Sequence, residues 1–215
     1  MCLVTFEGID GSGKSTQAMR LYGYLKEQGY SPLLVRDPGG TELSEQVRRL
    51  VLDTESTVEP MAELMLFCAA RAQLVAEKIR PALEAGHIVV CDRFYDSTTA
   101  YQGGARGVAP LDWLETLHQR VTDGLVPDRT YWVDLDPRQA AERRSTGTVA
   151  DRMESAGMAF QEQVATAYAH LVDRYPQRIV RLDGRQSVQA LQARVQDDVR
   201  SVLPIAHGTA SFDES

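Results

Sequence analysis

The chain has 215 residues, 43% of them hydrophobic and 25% charged, and carries a formal charge of −7. This length suits one α/β domain with a substantial core, and the composition excludes a disordered or fibrous chain. The acidic balance argues against broad nucleic-acid binding; no long uncharged apolar run suggests a membrane span, and no basic leader precedes the first apolar run, so the expected location is cytoplasmic.

Leu3 to Phe6 is a short β-rich run ending near glycine, and Thr16 to Gln28 has helical spacing at Leu21, Tyr24 and Leu25 before Gly29. Between them Gly8, Ile9, Asp10, Gly11, Ser12, Gly13, Lys14 and Ser15 fit GxxxxGK[ST] in the strand-to-helix context that the motif requires. Such glycines let successive backbone N–H groups, on to Thr16, turn toward phosphate oxygens, and the helix adds the positive end of its dipole. Lys14 supplies a point charge for phosphate, and the Ser15 hydroxyl is a ligand for Mg2+. Nucleotide binding follows; the loop by itself leaves open a GTPase, an ATPase or a small-molecule kinase.

Pro32 to Val35 reads as a second strand before a helix near Leu43 to Leu52, and a long helical stretch from Pro60 closes at Gly86 before a strand from His87 to Cys91. Thr130 to Leu135 and Arg178 to Leu182 supply two more strands. Alternating strands and helices predict an α/β P-loop NTPase fold: a five-stranded, mainly parallel sheet with helices on both faces and ligands at the carboxyl ends of the strands. We expect one kinase domain over residues 1–207, a mobile lid at about 143–154, and a flexible tail over 208–215. Cys2, Cys68 and Cys91 show no metal spacing and fit a reducing compartment, and the four histidines show no ligand spacing.

Two further segments narrow the class. Asp92-Arg93-Phe94, followed by Ser97 and by Ala100-Tyr101-Gln102-Gly103, resembles the DR[FYH]xxSxxAYQG signature of thymidylate kinases. Asp37-Pro38-Gly39-Gly40-Thr41 looks like the EPGGT turn of that family, and Phe67-Cys68-Ala69-Ala70-Arg71 like its F-x-A-x-R helix segment. The resemblance, spanning Thr5 to about Glu154, implies an ATP-dependent kinase that phosphorylates thymidine monophosphate (dTMP), with Mg2+, commonly as a homodimer.

Residue by residue, the resemblance gives Asp10 the sugar 3′-hydroxyl, Phe67 a stacking face for thymine, and Arg71 a base carbonyl. Thr98 and Gln102 correspond to base contacts, and Tyr101 to the residue that crowds the sugar 2′ position. Arg48 and Arg93 are candidates for the acceptor phosphate, since a guanidinium fork matches phosphate oxygens, and Asp92 for the metal. Asp37 replaces the usual glutamate with a side chain one methylene shorter, so its contact is expected to weaken or the turn to shift inward. Asp134 and Asp136 read as caps of the next helix, and Val199, Val202 and Leu203 as core.

Phosphoryl transfer onto an anionic acceptor needs positioned cations and excluded water more than a general base. Family members carry a catalytic arginine either in the phosphate loop or in the lid. This loop has Gly11-Ser12, so the lid must provide it; Arg143 and Arg152 are the choices, although Ser145 and Gly147 stand where further arginines often occur. The competing readings are a kinase of another deoxynucleotide, a GTPase-like switch and an inactive interaction module. With lysine only at positions 14, 26 and 78, the chain has no NKxD guanine motif, and Lys14, Asp10 and Arg93 are all retained.

Overall fold

The computed structural model describes residues 1–144 and 152–204. Most of the expected lid, including Ser145, Gly147 and Asp151, and the expected tail lie outside the described residues.

Strand β1 (Cys2–Glu7) is buried along its whole length and forms the centre of a five-stranded sheet in the order β2-β3-β1-β4-β5. β2 is Pro32–Arg36, β3 Ile88–Asp92, β4 Arg129–Asp134 and β5 Ile179–Asp183. Every pairing is parallel, with Phe6 opposite both Asp92 and Tyr131. The strands are apolar runs rather than alternating ones because both faces are covered. Helices α1 (Lys14–Glu27) and α9 (Val188–Val199) cover one face through Ala18, Leu21, Leu25, Leu191, Val195 and Val199. Val202 and Leu203 pack against the same cluster while remaining partly exposed.

On the other face, the stretch expected as one long helix is α3 (Pro60–Leu74), a π-helical turn at Val75–Ile79, and α4 (Arg80–Glu84). Leu74, Val75, Ile79 and Leu83 pack it against Leu3, Val89 and Cys91. α2 (Glu42–Leu52) starts where the Thr41 side chain accepts a hydrogen bond from the Ser44 amide at 3.1 Å, satisfying one of the unpaired amides of a helix start. α5 (Tyr95–Thr98) runs into a π-helical turn at Thr99–Ala105, and α6 (Leu111–Val121) follows.

After β4, α7 (Pro137–Arg144) is capped by Asp136, whose Oδ1 accepts from the Arg138 amide at 2.8 Å. Asp134 does not share that role, because its carboxylate pairs with Arg181 at 2.5 Å. α8 (Met158–Arg174) packs Val164 and Tyr168 against Trp132 of β4 and Ala140 of α7. The carboxyl ends of all five strands therefore open on one edge, with segments from β2 and β3 on one side of β1 and from β4 and β5 on the other.

Candidate active site

The loop after β1 needs glycine on physical grounds. Gly8, Gly11 and Gly13 have φ of 137°, 85° and 99°, and a Cβ at Gly8 would lie 2.6 Å from the Val133 carbonyl oxygen. α1 begins at Gly13 with no side-chain cap and no acidic residue in its first turn, which leaves its amides and dipole directed at an anion. Lys14 Nζ lies 2.7 Å from Asp10 Oδ1, and Arg93 Nη2 meets the same oxygen at 2.6 Å. Burial alone would raise the Asp10 carboxyl; the Arg93 and Lys14 charges outweigh it and hold the group well below the usual carboxylate range. Asp92 ends β3 with Oδ1 buried and unpartnered, and it lines a surface depression together with Ser15. Ser12 Oγ is likewise buried without a partner.

Beside the loop lies a pocket lined by Asp10, Asp37, Arg48, Phe67, Arg71, Arg93, Thr98, Tyr101 and Gln102, with Leu52 and Met153 on its wall. The sequence scatters these residues over the turns after β1, β2 and β3, helices α2, α3 and α5, and the π-helical turn at Thr99–Ala105, and the fold gathers them. Arg71 is 1% exposed, with Nε on Asp37 Oδ2 at 2.5 Å and Nη2 on Thr98 Oγ1 at 2.8 Å. Its Nη1 has no hydrogen-bond partner. Burial works against the Arg71 charge, and the Asp37 carboxylate outweighs it, so the guanidinium stays charged.

Asp37, with its shorter side chain, thus makes its contact with Arg71. Burial raises its carboxyl, and Arg71, Arg93 and Arg48 pull it back. Arg48 Nη1 donates to the Pro38 carbonyl at 3.2 Å. Tyr101 Oη lies 3.3 Å from Arg93 Nη2, whose guanidinium also sits 5.2 Å from the centre of the Tyr101 ring.

Several partners were silent in the sequence. Glu63, fully buried on α3, accepts from Gln102 Nε2 at 2.8 Å, Arg106 Nε at 2.7 Å and Arg152 Nη2 at 2.5 Å. Arg152 also donates through Nε to the Val51 carbonyl at 2.9 Å and through its amide to the Leu52 carbonyl at 3.2 Å. It is therefore tied to the ends of α2 and α3 behind the pocket, through Val51, Leu52 and Glu63. Arg143 Nη2 donates to the Gly184 carbonyl at 2.9 Å, after β5. Arg144, the next residue, donates to the Asp10 carbonyl and lies over Gly11 of the loop. Helix phase separates these neighbours on α7, and a sequence without a known register conceals it.

Chemically, the arrangement joins an anion-binding loop to a pocket with two aromatic side chains, Phe67 and Tyr101, the unpartnered Arg71 Nη1, and the half-buried Arg48 and Arg93. Among the described residues no group of three or more His, Cys, Asp or Glu side chains is placed to hold a metal. No helix among the described residues is long and apolar enough to cross a membrane.

Comparison with known proteins agrees with this geometry. The thymidylate kinase family model matches residues 6–195. A thymidylate kinase of Chlorobium chlorochromatii (strain CaD3) is 43% identical over 214 residues, covering 94% of this chain and 96% of the relative. One from Exiguobacterium sp. (strain ATCC BAA-1283 / AT1b) is 44% identical over 195 residues, with coverage of 90% and 92%. The crystal structure of thymidylate kinase from Ehrlichia chaffeensis superposes with a TM-score of 0.76 at 32% identity, covering 93% of this chain and 98% of that one.

Proposed function

The chain belongs to the thymidylate kinase family, and from that membership we infer that it transfers the γ-phosphoryl group of ATP to dTMP, giving thymidine diphosphate and ADP. The observation that carries the acceptor assignment is Arg71: two of its nitrogens are fixed by Asp37 and Thr98, and Nη1 is left to donate beside Phe67. A buried, charged donor held beside an aromatic face suits a base carbonyl better than solvent, since leaving it unpaired is costly.

In this reading Phe67 stacks on the thymine ring, Arg71 donates to a base carbonyl, and Thr98 and Gln102 shape the base end. Tyr101 lies under the sugar, Asp10 meets its 3′-hydroxyl, and Arg48 and Arg93 meet the acceptor phosphate. The amides from Gly8 to Thr16 and the Lys14 ammonium bind the ATP phosphates. Ser15 and the unpartnered Asp92 oxygen would hold Mg2+, directly or through water. The ion would neutralise charge on the phosphates.

The acceptor phosphate is already an anionic nucleophile, so the protein's task is to align it, screen its charge and exclude water. Arg144, against the loop, is the arginine best sited to meet charge on the transferring group, ahead of Arg143 on the Gly184 side and Arg152 on Glu63.

One domain over residues 1–207, with a lid at about 143–154, carries the whole reaction. Exposed Leu43 and Leu50 on α2 and Met61 and Met65 on α3 form an apolar surface suited to a second copy of the chain. Three buried free cysteines fit a cytoplasmic protein.

The test is ADP release with Mg-ATP and each nucleoside monophosphate in turn. We expect strong preference for dTMP and loss of about 10³-fold or more in turnover for Lys14→Ala. Equal rates with other monophosphates would remove the acceptor assignment and leave a kinase of broader scope.

A further inference from the structure

Arg93 adopts φ of 68°, a left-handed conformation that a long side chain seldom takes. Neighbouring groups must hold it there. On one side, the Arg93 amide donates to the Phe6 carbonyl at 2.9 Å. On the other, the Phe94 amide donates to Glu7 Oε1 at 2.8 Å. The second Glu7 oxygen accepts from Ser97 Oγ at 2.5 Å and from Tyr168 Oη at 2.7 Å. Ser97 Oγ in turn accepts from Arg93 Nη1 at 3.1 Å.

A single carboxylate therefore holds the backbone just after Arg93 and, through Ser97, one tip of its guanidinium. Glu7 is fully buried at the end of β1, where an apolar residue would serve packing equally well and avoid the cost of a buried charge. Its hydrogen-bond donors all come from elsewhere in the fold: the turn after β3, α5, and Tyr168 of α8.

We propose that Glu7 is a positioning residue of the acceptor site, holding Arg93 in the pose that meets the acceptor phosphate. The inference rests on the reading of Arg93 as a phosphate contact. It follows that Glu7 governs affinity for the phosphate group of the acceptor and not for its base or sugar. Outer-shell partners of this kind change the strength of the group they orient without touching the ligand.

The experiment compares dTMP with thymidine, which lacks the phosphate, by calorimetric titration of the full chain and of Glu7→Gln, Ser97→Ala and Arg93→Ala. Glu7→Gln is expected to weaken dTMP by about tenfold or more while thymidine stays within about twofold, and KM for ATP is unchanged. Ser97→Ala, which keeps the carboxylate and cuts the relay, should show the same selectivity at a smaller size. A role confined to stability would lower the melting temperature and leave the ratio of the two ligands intact.

Equal weakening of both ligands by Glu7→Gln, or no weakening, overturns the proposal. If Glu7→Gln does not fold, an unselective Ser97→Ala overturns it instead. Arg93→Ala separates the two layers: should it weaken thymidine as much as dTMP, the phosphate reading of Arg93 falls. Should Arg93→Ala be selective and Glu7→Gln not, only the role of Glu7 falls.

Discussion

The two halves of the site, divided by β1, are built differently. On the β2 and β3 side, cations are fixed by carboxylates inside the fold: Arg71 on Asp37, Arg152 on Glu63, Arg93 on Asp10. On the side of the phosphate loop and α7, one such pair, Lys14 on Asp10, is joined by backbone amides, carbonyl-bound arginines and the exposed Ser15. Backbone amides bind any polyphosphate, whereas buried side chains in fixed pairs discriminate. Under the proposed function, selectivity therefore belongs to the half that would hold the acceptor, and the other half would supply charge without reading a base.

The largest break in that contrast comes from the buried pair. Asp37→Ala leaves the Arg71 charge unpaired in the interior, and we expect a loss of about 3 kcal/mol in stability by denaturant titration. Arg36→Ala, whose partner Glu45 is exposed at the surface, should cost less than about 1 kcal/mol.

Next come the arginines near the lid, which test the division by kinetics. Arg144→Ala should reduce kcat by about 10²-fold with KM for dTMP little changed. Arg152→Ala, which leaves Glu63 with only Gln102 and Arg106 and loosens the packing beside the pocket, should raise KM for dTMP instead. The opposite split would exchange the roles of the two residues.

Phe67→Ala is smaller still: losing one stacking face is worth about 2 kcal/mol, or roughly a thirtyfold rise in KM for dTMP at constant KM for ATP.

Smallest per step, though spread over a wide window, is the pH dependence of stability. Burial raises the Glu7 carboxyl from 4.5 to about 7, with Asp96 adding to it and Arg93, Ser97 and Tyr168 opposing. Arg71, Cys91 and Tyr101 also face the group. The folded chain thus keeps a proton that the unfolded chain releases, and this contribution is complete below 4.5 and is lost as pH rises to about 7. Melting temperature should fall across that window by the equivalent of at most about 1.4 kcal/mol per pH unit, and Glu7→Gln should flatten the fall.

The parts legible in the sequence were those whose reason is local. The strand, glycine loop and helix from Leu3 to Gln28 announce themselves because φ, periodicity and motif all lie within one short segment. The Asp92 to Gly103 block is legible for the same reason. Glu7 was not, since its partner Tyr168 is 161 residues away and a glutamate at a strand end carries no pattern of its own. Glu63 was hidden likewise, with Gln102, Arg106 and Arg152 converging on it only in the folded chain. Asp37 was legible as a departure, but its pairing with Arg71 depends on how closely the turn after β2 approaches α3. Among Arg143, Arg144 and Arg152, composition pointed to the region, and only the folded chain shows that they meet Gly184, Asp10 and Glu63 respectively.

A Cβ at Gly11 would run into the Ala140 carbonyl and lie 3.1 Å from Arg144 Cγ. Any side chain there would contend with Arg144 for the same space above the loop. The two sources of a catalytic arginine, loop or lid, are in this molecule mutually exclusive tenants. The bare glycine at position 11 is thus tied to the packing of α7 above it, which narrows the substitutions open to this chain.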